Sequence, residues 1–283
     1  MTQRQNPPGD SVKIRALSSH SEYDAAVSLQ HRIWGADVRE TVPACLLQIS
    51  QEVGGVAAGA FCSSGDLVGF VYGLTGVKDG ELVHWSHLLA IHESWRDRGL
   101  GRELKQHQRE LLLEIGVSVM YWTYDPLEAR NAHLNLNKLG ASVDRYVPHY
   151  YGEEPVAATD SVIGTDRFVV RWNLAESRTH PEDSPNPPSD VLDGVDGSVS
   201  DIQSLDLGSQ AARTSHLPPV KVSVPPDIQE LKKVDPSAAK EWRERTRSTF
   251  LDHLAVGYMV SGFVVDPNGG GGWYVLVPRD KAP

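Results

Sequence analysis

Arg96, Arg98, Gly99 and Gly101 are the residues of this sequence whose types and spacing point most directly to chemistry. Arginines bring charge-assisted hydrogen bonds to an anion, and glycines let main-chain N–H groups approach it without a Cβ in the way. The run Arg96-Asp97-Arg98-Gly99-Leu100-Gly101 follows a predicted strand, Glu81 to Ile91, and opens a predicted helix with Leu104, Leu111, Leu112 and Ile115 on one side. A glycine turn feeding a helix N-terminus is a concave site for phosphate. Two rival phosphate motifs fail. The third glycine of a dinucleotide fingerprint would fall at Leu104, and the Gly-Lys-Ser/Thr of a P-loop is absent. Coenzyme A is the pyrophosphate that remains, and the bland alternative is a tight strand-to-helix connection.

The elements that must position these residues alternate between strand and helix, which predicts an α/β sheet domain. Val12 to Leu17 reads as a strand, Glu22 to Trp34 as a helix with Ala26, Leu29, Ile33 and Trp34 on one stripe, and Pro43 to Glu52 as a shorter helix opened by its proline. Val56 to Cys62 and Leu67 to Leu74 are strands joined by Ser63-Ser64-Gly65-Asp66, a loop that favours an antiparallel hairpin. After the glycine-loop helix, closed by Gly116, come a strand at Val117 to Tyr124, a helix at Ala129 to Leu139 capped by Gly140, and strands at Ser142 to Val147 and Asp166 to Trp172. Further on, Lys221 to Val224 reads as a short strand. Ser237 to Ala255 reads as a helix with Trp242, Thr246, Phe250 and Leu254 on one face, ended by Gly257. Tyr258 to Val265 and Gly272 to Val277 then pair around Asp266-Pro267-Asn268-Gly269. This order of elements is either a degenerate copy of the order from Ala129 to Trp172 or a docked accessory module.

At these motifs the chain resembles the GNAT superfamily of acyl-CoA N-acyltransferases. Arg96 to Gly101 matches the signature Arg/Gln-x-x-Gly-x-Gly/Ala, preceded by Leu88-Leu89-Ala90-Ile91, and Asn131-Ala132-His133-Leu134 through Lys138-Leu139-Gly140 matches a second family segment. The resemblance covers about Val12 to Leu174. It implies a GNAT-like mixed, splayed β-sheet flanked by helices, with a bulge on the Glu81 to Ile91 strand and the pantetheine arm in the gap beside the Val117 to Tyr124 strand. Trp122 to Leu127, Tyr150-Tyr151-Gly152 and Thr165-Asp166-Arg167 further resemble a branch of predicted acetyltransferases associated with N-succinylamino acid racemases. That likeness implies transfer from acetyl-CoA or succinyl-CoA to the amine of a small molecule, an amino acid being one candidate.

By this resemblance Leu89, Ala90, Ile91, Arg96, Asp97, Arg98, Gly99, Leu100, Gly101, Arg102 and Asn131 hold the coenzyme, and a main-chain N–H near Leu89 faces the oxyanion. Attack of an amine on a thioester needs a base, oxyanion donors and an acid for the leaving thiolate. Neither cysteine lies in the matched segments, so transfer is expected to be direct, in a ternary complex. His87 is the candidate base, because imidazole titrates near working pH, with a hydrogen-bonded structural histidine as the alternative. Asp125 and Glu81 are fallback bases. Many relatives place a tyrosine four residues before the glycine that ends the second helix. Here that position holds Leu136, so either Tyr146, Tyr150 or Tyr151 reaches in as the acid, with Tyr151 preferred, or the thiolate leaves with help from water; the alternative role for Tyr150 and Tyr151 is aromatic lining of an acceptor pocket. Asn131 either caps its helix or bonds the pantetheine amides, and Arg167 binds an acceptor carboxylate or makes an ordinary ion pair.

Composition sets the outer bounds. Lys plus Arg number 27 against 37 Asp plus Glu, a net charge of −10 that removes the phosphate attraction nucleic-acid binders rely on. No apolar run is long enough for a bilayer span, so the expected place is the cytoplasm, with no membrane partner. His84 and His87 stand an odd number apart and would face opposite sides of a regular strand. With Cys45 and Cys62 the only cysteines, no metal is expected. The stretch from Ala175 to Pro219 holds eight acidic residues and two arginines among Ser, Pro and Gly, a net −6 that reads as a flexible linker. The expected organisation is a disordered N-terminus at 1–11, an acyltransferase domain at 12–174, an acidic flexible linker at 175–219 and a small α+β helix-hairpin module at 220–280. A homodimer is left open. The rival functions are a catalytically weak CoA-binding regulatory or interaction module, suggested by Leu136, and a nucleotide-binding fold.

Overall fold

The computed structural model describes residues 11–35, 40–152, 163–176, 218–267 and 271–279. The expected disordered N-terminus and most of the expected linker lie outside them, as does part of the turn expected at Asp266 to Gly269. The chain divides into two compact units, one of Met1–Tyr121 with Asn173–Ala175, the other of Trp122–Trp172 with Glu176–Pro283.

In the first unit, β1 (Lys13–Ala16), β2 (Val56–Phe61), β3 (Leu67–Lys78) and β4 (Glu81–Ile91) are successive antiparallel neighbours, and β5 (Val119–Tyr124) runs parallel to β4. The sheet is therefore mixed, as expected. Its β4–β5 ladder spans only Val83–Trp85 and Val119–Tyr121, which leaves the β5-side edge of β4 from Ser86 to Ile91 outside that ladder. On the other edge the β3 register jumps from Tyr72 opposite Leu88 to Gly73 opposite Ser86, so His87 is the extra residue of a β-bulge.

Helices α1 (His20–Trp34) and α2 (Ala44–Glu52) cover one face of this sheet, where Tyr23, Ala26, Leu29 and Leu47 pack on Phe70, Tyr72 and Ala90. Ser19 caps α1 by accepting from Glu22 N, and the Glu22 carboxylate takes Ser18 N and Arg15, so the chain's entry into the helix is fixed. Helix α3 (Leu100–Glu114) packs across β2, β3 and β4. Its buried face departs from the expected one. Leu100, Leu104 and Leu112 are inside with Lys105 and Gln108, whereas Leu111 is half-buried and Ile115 is exposed. Apolar counting chose the leucines. The true face runs in steps of four from Leu100, and its middle is polar.

Strand β3 extends four residues beyond the expected Leu74, because Asp79 and Gly80, both at positive φ, form a two-residue hairpin turn into β4.

Strand β7 (Arg167–Asn173) neighbours β5 in the sheet and is antiparallel to the edge strand β6 (Ser142–Val147). The helix expected at Ala129 to Leu139 is instead one α-turn, α4 (Ala129–Ala132), running into a π-helical segment, His133–Lys138. Asn131 is the third residue of α4 and Glu128 its cap position, so the capping role expected for Asn131 does not hold. The C-terminal elements belong to the second unit. Strands β8 (Val220–Val224), β10 (Gly272–Pro278) and β9 (Tyr258–Val265) form an antiparallel sheet in that order, with α5 (Ile228–Val234), which the reading missed, and α6 (Pro236–Ala255). Asp227 caps α5 and Asp235 caps α6 ahead of Pro236, a start signal legible in the sequence.

Candidate functional site

The anion loop is built by the exit from β4. A single 3₁₀ turn at Glu93–Trp95 reverses the chain, Asp97 takes φ +61°, and Gly99 follows at φ +83° as the N-cap of α3. Left-handed backbone at Gly99 is strained for a residue with a Cβ, which is why glycine stands there. No side chain caps α3. The Gly99 carbonyl accepts Arg102 N and Glu103 N, and the positive end of a four-turn helix is presented by Leu100 and Gly101. Around it Arg96, Asp97, Arg98 and Gly99 are exposed and Gly101 and Arg102 half-buried. Arg96 Nε bonds the Ile91 carbonyl at 3.2 Å, and the Arg98 guanidinium lies over the Trp95 ring at 4.9 Å. A diphosphate fits this arrangement: uncapped amides, a glycine that permits approach, and guanidinium groups on the rim.

Upstream, Leu89 and Ile91 pair with Val71 and Gly69 on the β3 side, while the Ala90 side chain is buried in the core, so only its main chain is open to a role. His87, at the bulge, meets the Tyr72 ring edge-on at 6.2 Å. Burial pulls its pKa below the ordinary imidazole value against a smaller opposing effect of Glu40, so the ring is neutral and able to accept a proton at neutral pH. His84 is different. It is fully buried between Thr75 and Gln108, and burial with Lys105 nearby lowers its pKa to about 3. The two histidines lie on opposite faces of β4: His87 meets Tyr72, which packs on the α1–α2 side, whereas His84 bonds α3. Glu81 is exposed at the start of β4, opposite Lys78 and at the end of the strand away from the loop.

In the second unit Asp125 directly follows β5. Its Oδ1 accepts Leu127 N at 2.9 Å, the turn its Pro126 neighbour suggested, and both oxygens take Arg243 Nη2 at 2.6 Å, with Arg167 Nη1 at 3.9 Å. Burial pushes its pKa up, but Arg243 and Arg167 outweigh this and hold it below the usual carboxylate value. A carboxylate so held is a poor proton acceptor. Asp166 is similarly engaged, fully buried with both oxygens on Arg247 and the Tyr146 hydroxyl bonded to it, which removes Tyr146 from the candidate acids. Tyr151 donates to or accepts from Thr123 Oγ1 at 3.0 Å, packs edge-on against Tyr150, and has the Arg167 guanidinium over its ring at 5.3 Å.

Leu136 is buried in the π-helical segment, and its neighbour Asn135 accepts the Trp122 indole N–H at 3.1 Å. The segment closes one residue later than an α-helix would, Leu139 N reaching back to the Leu134 carbonyl. Among the described residues no group of three or more His, Cys, Asp and Glu could hold a metal ion, and no helix is long and apolar enough to cross a membrane.

Two sets of polar residues escaped the sequence reading, buried Arg243 with half-buried Arg247 on α6 and the buried group around Lys105. The signal for the second was present in Gln108, four residues from both Leu104 and Leu112 on an otherwise apolar stripe. For the first there was none, because the partners lie more than 80 residues away.

No protein-family model matches the chain, and no curated protein matches it. Solved structures similar to it include YncA, a putative acetyltransferase from Salmonella typhimurium solved with its cofactor acetyl-CoA, at 18% identity and TM-score 0.46 over 60% of this chain and 98% of that one. The ribosomal-protein-S18-alanine N-acetyltransferase from Escherichia coli is 16% identical, with TM-score 0.45 over 60% and 98%. Aminoglycoside 6′-acetyltransferase type Ii is 16% identical, with TM-score 0.45 over 58% and 99%. At these values the likeness extends to no individual residue.

Proposed function

We propose that this chain is an acyl-CoA-dependent N-acyltransferase that passes an acetyl or succinyl group to a small primary amine directly, in a ternary complex. The observation that supports this best is the sequence of features on β4 and α3: a strand edge that leaves its parallel neighbour after Trp85, a bulge at His87, and an uncapped helix N-terminus opened by left-handed Gly99. An extended, amide-bearing arm can add to such an edge as a strand would, using main-chain groups of Leu89 to Ile91, while Arg96 to Arg102 take the diphosphate. The coenzyme supplies an activated thioester. The chain supplies His87 as a neutral base for the incoming amine, a main-chain N–H near Leu89 for the oxyanion, and Asn131, exposed on α4, as a further pantetheine contact.

Arg167 and Tyr151 are assigned to the acceptor, Arg167 to a carboxylate on it, which makes an amino acid the favoured class. Tyr151 is also the candidate acid by side-chain type. Asp125 is assigned a structural role.

Calorimetry with acetyl-CoA, ATP and NAD, followed by thiol release from acetyl-CoA and succinyl-CoA over a panel of L- and D-amino acids, tests this reading. Acetyl-CoA is expected to bind most tightly, and Arg98→Ala to weaken it. Tighter binding of ATP or NAD overturns the assignment. Buried Leu136 at the acid position favours one second reading, a CoA-binding module, which binding without thiol release would support.

A further inference from the structure

Beneath β4, on the face opposite His87, a file of buried polar side chains links α3 to β3. Lys105 Nζ, on a residue 2% exposed, donates to Ser86 Oγ at 2.7 Å, and Ser86 Oγ donates to Gln108 Oε1 at 2.9 Å. Gln108 Nε2 lies 2.9 Å from His84 Nε2, and His84 Nδ1 lies 2.9 Å from Thr75 Oγ1, which donates to the Gly54 carbonyl at 2.6 Å.

The directions in this file follow from its ends. Thr75 gives its only proton to Gly54, so it accepts from His84 Nδ1–H. His84 Nε2 is then an acceptor and takes Gln108 N–H, which turns the Gln108 oxygen to Ser86. His84 is thereby fixed as the neutral Nδ1–H tautomer, and every donor points away from Lys105. The amine stands at the head of a polarised file.

Its position gives the file a use. Ser86 is the first residue of β4 beyond the last β4–β5 pair, Trp85 with Tyr121, so the Lys105–Ser86 contact sits where the open edge begins. Met120 on β5 also borders the amine, with its sulfur 4.0 Å from Lys105 Nζ.

We propose that Lys105, acting through the Ser86 hydroxyl, supplies the proton taken up by the departing thiolate during acyl transfer. The proposal rests on the acyltransferase reading and names the group that Leu136 cannot replace. In the step the amine nitrogen bonds to the acyl carbon and the carbon–sulfur bond breaks with its pair on sulfur. Ser86 swings its proton from Gln108 to sulfur and receives one from Lys105. The proton shed by the amine goes to His87, and exchange with water restores both residues, so no net proton is made or lost. Burial lowers the Lys105 pKa to about 7, which leaves the ammonium ready to give a proton at neutral pH. The groups facing it are Ser86 and the neutral His84 from β4, Met120 from β5 and Gln108 from α3, and His84 is the titratable one coupled to it by charge. Lys105 is thus a positioning and proton-supplying residue one step behind the reacting atoms.

The test uses the full chain with acetyl-CoA and an amino acid acceptor. Lys105→Met and Ser86→Ala are each expected to lower kcat about 100-fold with KM for acetyl-CoA little changed, and the double variant to be no worse than either alone. The fall of wild-type kcat as pH rises through about 7 is expected to vanish in Lys105→Met. Independently of activity, a lysine side-chain resonance of the free protein that titrates in that range should disappear in the same variant. Unchanged kcat and pH profile in a folded Lys105→Met that binds acetyl-CoA overturns the proposal, as does a loss confined to Tyr151→Phe. If Lys105→Met does not fold, Ser86→Ala decides on the same kinetic grounds. A wild-type protein that binds no acetyl-CoA sinks the acyltransferase reading itself, an outcome that calorimetry separates from the others.

Discussion

One polar cluster in each unit solves the same problem in opposite ways. In the unit ending at Tyr121 it is a file of neutral donors and acceptors with one amine at its head. In the unit beginning at Trp122 it is a set of guanidinium–carboxylate pairs, Arg243 with Asp125 and Arg247 with Asp166, the pair members four residues apart on α6. Burial alone would raise both carboxylates, but the arginines and, for Asp166, the Tyr146 hydroxyl reverse the shift, so their charges stay fixed through the physiological range. Burial acts on Lys105 alone and brings its titration to about pH 7. Charge is locked in one unit and can move in the other. A titratable group held near working pH at the expense of stability is what a reaction needs, whereas charges paired between a helix and the ends of strands tie elements distant in sequence together.

The largest effect should come from breaking a pair. Arg243→Met would leave the nearly buried Asp125 with only Arg167, at 3.9 Å, for a cation, and urea unfolding should show a loss of about 3 kcal/mol. The sign with pH follows from the lowered carboxylate values. The stabilisation is full above the ordinary carboxylate pKa and disappears as pH falls through the folded values of Asp125 and Asp166. A loss no larger than that of an exposed ion pair would erase the contrast between the units.

Lys105→Met should act in the other direction. Removing a buried amine and filling its place with an apolar chain is expected to raise stability at pH 7 by about 1–4 kcal/mol. Because the folded pKa lies below the unfolded 10.5, the unfolded chain binds the extra proton between about pH 7 and 10.5. Wild-type stability should therefore rise across that window and the variant's should not. Equal pH dependence of the two would show that Lys105 carries no burial penalty.

Gly73→Ala sharpens the geometry of the neutral file. A Cβ there would overlap His84 Nε2 and come within 2.6 Å of the Trp85 carbonyl oxygen, so about 1–3 kcal/mol should be lost in thermal unfolding, with a matching change in kcat. The smallest expected effect is Thr75→Val, about 1 kcal/mol, which removes the acceptor for His84 Nδ1 at the far end from Lys105. If it exceeds the effect of Gly73→Ala, the file is anchored at Thr75 rather than at Ser86.

Much of this was legible in the sequence. The strand, glycine turn and helix around Arg96 to Gly101 follow from local signals, since left-handed backbone at Gly99 and a strand ending at Ile91 are properties of a few neighbouring residues. The bounds of α1 and α6 fall within two residues of expectation, although α6 buries Arg243 and His253 rather than the expected Trp242 and Leu254. The reading failed where two turns of similar local preference compete. The π-helical segment at His133–Lys138 differs from an α-helix by one hydrogen-bond step, which side-chain types do not encode. Helix α5 is short and half polar, so its apolar pattern was too sparse to count.

The sequence by itself determined most of the order of elements, the glycine turn between β4 and α3 and the net charge, because each rests on local propensity or on composition. Tertiary structure alone decided which face of α3 is buried, that His87 sits at a bulge while His84 is sealed, and that α6 supplies the partners of Asp125 and Asp166. Those outcomes depend on desolvation and on bonds between residues far apart in the chain, and a buried lysine and an exposed one are spelled with the same letter.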